Sequence, residues 1–209
     1  MLKKPNSSAG FTLAETLIAV VILVMITAAA MPAAVNAYRN AVDAANAQVL
    51  LSTTVNALRS ELSTAWNVDV NADGTTITYH SADTGDKSVI TVEDDTIMLE
   101  EYYTRKESPD WWGSSEDPPE NSEDPLELKR SLVSDAMRQT TRNSGEHMTV
   151  KYTGASPVKS ADGKYIEYIQ IDGLAVKRGD SVLAKMPDAG LLIRVMGAES
   201  AAETDDTGD

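Results

Sequence analysis

From Phe11 to Val35 run 25 residues, interrupted only by Thr12, Glu15, Thr16, Thr27 and Pro32. About 20 mostly apolar helical residues cross the hydrocarbon core of a bilayer, so this run is long enough to span one. Lys3 and Lys4 precede it, and Arg39 is the nearest basic residue after it. The positive-inside rule therefore puts the N-terminus in the cytoplasm and everything beyond Val35 outside. A secretory signal cut at a small-x-small site, such as Ala28 and Ala30, would also account for the run. It would not account for Glu15, because a charge inside an apolar helix costs about 2.5–3.5 kcal/mol at the centre and less near an end. Nor does the helical pattern stop where a disposable signal would. Glu15 either snorkels to the headgroups or meets a positive partner.

The residues Gly10-Phe11-Thr12-Leu13-Ala14-Glu15 follow a short basic leader and open the apolar run, and Phe11 is the only phenylalanine in the chain. This arrangement resembles the class III signal of type IV pilins and of the pseudopilins of type II secretion and competence systems. The resemblance covers about 30 residues; the other 170 or so carry no family pattern. It implies cleavage between Gly10 and Phe11 by a prepilin peptidase, followed by N-methylation of Phe11. It implies that Glu15 pairs with the N-terminal amine of a neighbouring subunit and sets axial register during assembly, and that Pro32 is the family's helix-disturbing proline. The implied partners are the peptidase, other pilin or pseudopilin subunits, the inner-membrane assembly platform and membrane lipid. The implied location is a single-pass cell membrane, then an extracellular or periplasmic filament. One physical point supports the pairing independently: after cleavage Glu15 stands four residues from a new amine, about one helical turn away, and a buried carboxylate is tolerable only when paired.

Beyond the span, Val35, Tyr38, Val42, Ala45, Val49, Val55, Leu58 and Leu62 recur at spacings of three and four, with Ser52 in the one gap. The pattern predicts an apolar helix stripe, with Arg39, Asn40, Asp43, Asn46, Arg59 and Ser60 largely off it. A helix from Phe11 to Ser63 would be about 80 Å long, bent or loosened near Pro32, where a backbone hydrogen bond is lost. A coiled coil is a weaker alternative, since Ala and Thr beside the stripe give a poor heptad. After Trp66 the period falls to two. GTTITYHSA, KSVITVED, DTIMLEEYY, HMTVKY, KYIEYIQIDGLAVK, DSVLAK and LLIRVMG read as strands, separated by turns at Asp73-Gly74, Asp94-Asp95, Asp162-Gly163 and Gly179-Asp180. Leu126 to Arg142 reads as a second helix with Leu128, Leu132 and Met137 toward the core. The fold class expected is α+β: a long N-terminal helix, transmembrane first and amphipathic after, packed on an antiparallel sheet. The expected division is a cleaved leader (1–10), the helix (11–65, with its membrane and assembly segment 11–35), an extracytoplasmic head (66–198) and a disordered acidic tail (199–209).

The head offers little that points to catalysis. Asp69, Asn71 and Asp73, followed by Gly74, have the spacing of a calcium loop, but the twelfth position is His80 where a bidentate glutamate is needed. A plain hairpin turn explains Asp73-Gly74 as well. Trp111 and Trp112 sit in an acidic, proline-rich loop from Glu107 to Pro125; they anchor that loop on the sheet or contact a partner. His80 and His147 are the only histidines and there is no cysteine, so thiolate chemistry and disulfides are excluded and a transition-metal site is disfavoured. No nucleophile–base motif or phosphate-binding glycine loop stands out. With 18 basic against 32 acidic residues the formal charge is −14, which disfavours direct nucleic-acid binding and suits a solvated outward surface. The expectation is a non-enzymatic structural subunit, a minor pilin or pseudopilin, with no cofactor. The competing classes are a membrane-anchored binding or enzymatic domain and an ordinary secreted domain.

Overall fold

A computed structural model of the chain describes residues 12–82, 85–93, 95–103, 126–141 and 146–196. The leader, Phe11, the loop carrying Trp111 and Trp112, and the acidic tail lie outside these residues. The backbone divides into two compact units, Met1–Val42 and Asp43–Asp209. One α-helix, α1 (Leu13–Ser63), contributes to both.

In the first unit every residue from Thr12 to Ala41 is exposed. Large apolar side chains make up most of that surface, among them Leu17, Ile22, Leu23, Val24 and Ile26. The helix is long and apolar enough to cross a membrane, and its most apolar window has a mean hydropathy of 2.6. The threonines do not spoil it. The Thr16 hydroxyl donates to the Leu13 carbonyl (2.9 Å) and that of Thr27 to the Leu23 carbonyl (2.7 Å), so each is satisfied on its own helix. Pro32 lies within α1 without ending it. Having no N–H, it leaves the Ala28 carbonyl without its usual helical donor.

The second unit holds Asp43–Ser63 of α1 and three antiparallel sheets. β1 (Ala65–Val70), β2 (Thr76–Ser81), β3 (Lys87–Val92), β4 (Ile97–Tyr103) and β5 (Leu126–Ser131) form a meander in sequence order. A short 3-10 turn (Asp135–Arg138) follows. β6 (Thr149–Lys151), β9 (Ala175–Arg178) and β10 (Ser181–Lys185) form a second sheet in the order β10-β9-β6. β7 (Gly154–Lys159), β8 (Ile166–Asp172) and β11 (Leu191–Arg194) form a third in the order β11-β8-β7. Leu50, Leu58 and Leu62 of α1 share one core with Ile77, Tyr79, Ile90 and Leu99 of the first sheet, Val176 of the second, and Ile169 and Ile171 of the third. The α+β class and the helix-on-sheet packing are as the sequence led us to expect.

Five features depart from the sequence reading. The described part of the predicted second helix, residues 126–141, is not an α-helix: its first six residues are β5, and Leu128 and Met137 are exposed. Leu, Glu, Lys and Arg favour helix locally, but β4 presents an edge that the segment pairs with from Tyr103↔Leu126 to Met98↔Ser131. Glutamates around β4 also match its charges: Lys129 reaches Glu93 and Glu100, and Arg130 reaches Glu101 at 3.2 Å. The buried stripe of α1 includes the expected Val55, Leu58 and Leu62 but is rotated from the expected one before them. It runs through Asp43, Ala47, Leu50, Thr54, Val55, Leu58 and Leu62, while Tyr38 and Val49 are exposed. Alanine and valine occur on several faces of this helix, so the apolar pattern alone carries too little contrast to choose one.

Trp66 and Asn67, which precede the first strand expected from the sequence, belong to β1, which is bulged between Trp66 and Asp69 with Asn67 at φ 50°. β7, unforeseen because it carries Pro157, is the outer strand of its sheet, where a missing N–H is tolerated. KYIEYIQIDGLAVK divides at Gly173 (φ 64°), sending β8 and β9 to different sheets.

Candidate functional site

The start of α1 is built from its own residues. Thr12 precedes the first helical residue, and its backbone N–H donates to Glu15 Oε2 (2.9 Å). The Thr12 hydroxyl donates to the same oxygen (3.0 Å), and the Glu15 N–H donates to Thr12 Oγ1 (3.3 Å). This reciprocal arrangement is a capping box: each side chain satisfies a backbone N–H that the first helical turn leaves without a partner. The carboxylate lies at the positive end of the helix macrodipole, which favours its charge there. Among the described residues Glu15 Oε1 has no hydrogen-bond partner, so the cap engages one oxygen and leaves the other for a second donor. The T-x-x-E spacing ahead of an apolar run was the signal for this cap.

Residues 5–31 match the family model of the prokaryotic N-terminal methylation motif. The chain carries the class III signal of type IV pilin-like proteins. The motif ends one residue before Pro32, so it takes in the capped turn and most of the exposed apolar helix. It supports a type IV pilin-like precursor and, with the apolar helix, suits a membrane-anchored protein. No curated protein and no solved structure matches the chain.

The remaining candidates are dispersed. Gly10, Phe11, Trp111 and Trp112 lie outside the described residues. Asp69 sits in β1 opposite Thr78, while Asn71 and Asp73 belong to the turn into β2. The Asn71 amide is occupied within that turn: its oxygen accepts the Thr76 N–H (2.9 Å) and its nitrogen donates to Thr75 Oγ1 (3.1 Å). Gly74 (φ 68°) is there for another reason, since its carbonyl accepts the Ala155 N–H at 2.7 Å and a Cβ would fall within 2.8 Å of the Ala155 backbone. Among the described residues no three His, Asp or Glu side chains form a cluster that could hold a metal. His80 stacks on Trp66 with ring centroids 4.8 Å apart, and His147 is exposed.

One polar cluster in the head had no sequence signal. Asp43 on α1 is fully buried. Its Oδ1 accepts the Thr141 N–H (2.9 Å) and hydroxyl (2.8 Å), and its Oδ2 accepts from Arg178 Nη1 at the end of β9. Burial pushes its carboxyl up, but the Thr141 donors and the Arg178 charge outweigh that and hold it below the ordinary carboxylate range. Elsewhere the buried Tyr79 hydroxyl donates to Glu61 Oε2 (3.3 Å); burial first, then the Glu61 charge, pushes its pKa well up.

Proposed function

We propose that this chain is a structural subunit of a type IV pilus-like or type II secretion-like filament, a minor pilin or pseudopilin rather than an enzyme. In this reading prepilin peptidase cuts between Gly10 and Phe11, Phe11 is N-methylated, and the apolar part of α1 moves from lipid to the shafts of neighbouring subunits. The head faces away from the cytoplasm, and an inner-membrane platform drives assembly. The observation that carries the reading is the methylation motif at residues 5–31 continuing into a helix exposed from Thr12 to Ala41. Such a helix exchanges lipid contacts for protein contacts, so close packing and polar pairing must provide the specificity. The open oxygen of Glu15 supports a role in that pairing, because it can take the amine of a neighbouring Phe11 while the other oxygen holds the helix cap.

Sequencing the N-terminus of the membrane-extracted protein tests the processing step. A methylated Phe11 is expected; an intact Met1 or a start near Met31 would refute it, favouring a plain anchored domain or a secreted one. Gly10→Ala is expected to block cleavage in the same cells. Glu15→Gln separates the two roles of the carboxylate, since glutamine keeps a capping box and removes the charge. Assembly into filaments should be lost with normal processing. Filaments of normal abundance from Glu15→Gln would reduce Glu15 to a helix cap.

A further inference from the structure

Over Asp43–Ser63 the apolar contacts of α1 are poor at choosing one seating on the head. Leu50, Thr54, Leu58 and Leu62 on the buried face are spaced by four, so a slide of one turn brings Leu58 to the place of Leu62. Off that face lie Val42, Ala44, Ala45, Val49 and Ala57, so a rotated helix would still offer apolar side chains to the sheets. Thr54 adds no preference, because its hydroxyl is spent on the Leu50 carbonyl of its own helix (2.8 Å).

Asp43 behaves differently. It is the first fully buried residue of α1, and its partners come from two separate places in the head, the Thr141 segment and the end of β9. Arg178 is itself largely covered, with 13% of its side chain exposed. A different register or rotation would take the carboxylate away from these donors and leave Arg178 covered without its carboxylate. An unpaired buried charge is among the costliest arrangements a fold can contain. Buried polar groups that fix the register of packed helices are the best-attested use of such pairs.

We infer that Asp43 is the register key of the head: its carboxylate, met by Arg178 and Thr141, selects one axial and rotational seating of α1 on the sheets. This seating decides which helix face in residues 43–63 is turned outward, the face now bearing Gln48, Ser52, Asn56 and Arg59. The inference concerns the head alone and stands whether or not Phe11 becomes the N-terminus.

The chain contains no cysteine, so spin labels at Asn56→Cys and Leu192→Cys, both exposed positions, report one distance in the full-length protein in detergent. With Asp43 present a single narrow distance distribution is expected. Replacing the pair by apolar residues, Asp43→Leu with Arg178→Met, should leave the head folded by circular dichroism. The distance should split or broaden by about the 5.4 Å of one helical turn. A single unchanged distance in the folded double variant would overturn the inference. Loss of the folded head would overturn it as well, because the pair would then be needed for stability and not for choice of register.

Discussion

Replacing Gly74 by alanine should destabilise the head far more than the loss of one turn glycine suggests. Gly74 lies between β1 and β2 at φ 68°, a left-handed conformation that costs an L-residue about 1–2 kcal/mol. An added Cβ would stand 2.7 Å from the Ala155 oxygen and 2.8 Å from the Ala155 nitrogen. Both atoms are backbone and cannot rotate away, and moving the turn would break the 2.7 Å hydrogen bond from Ala155 N–H to the Gly74 carbonyl. Overpacking of this kind adds about 1–3 kcal/mol, for a total of about 2–5 kcal/mol. Gly163 is a matched control: its φ is 71°, and nothing lies within 4 Å of its Cβ position. Gly163→Ala should therefore lose only the conformational part, about 1–2 kcal/mol. Urea unfolding of both full-length variants in detergent, followed by circular dichroism, measures the difference. Equal losses would refute the steric argument and with it the docking of the β1–β2 turn on β7.

Acid unfolding should report Asp43. Its folded pKa is depressed, so its contribution is complete above the unfolded value, about 3.9, and is lost as pH falls through the lower folded value. Below about pH 4 wild-type stability should therefore fall more steeply than that of Asp43→Asn; parallel acid limbs would contradict the pairing. Leu58→Ala removes a fully buried side chain between α1 and the sheets and should cost about 2–5 kcal/mol in the same urea assay. Added calcium should leave the thermal midpoint unchanged, because Asn71 is engaged within its own turn; a rise that Asp69→Ala abolishes would restore the calcium loop.

The apolar span, the change of period after Trp66, the hairpin glycines and the Thr12–Glu15 spacing are local statements. Each is written in residues a few positions apart and is therefore legible in the sequence. The motif at residues 5–31 is equally local, which is why it could be recognised from a short stretch. What the chain could not announce is which distant residue answers each local choice. LELKRS has helix-forming residues, yet it becomes β5 because β4 and its neighbouring glutamates lie alongside. Asp43 looks like a solvated helix residue until Thr141, 98 positions away, and Arg178, 135 positions away, close around it. Backbone propensity and hydrophobic period act over a turn or two, so the sequence by itself determined the elements and the N-terminal signal. The rotation of α1 and the fate of its buried charge depend on partners that only the folded head brings within hydrogen-bond reach.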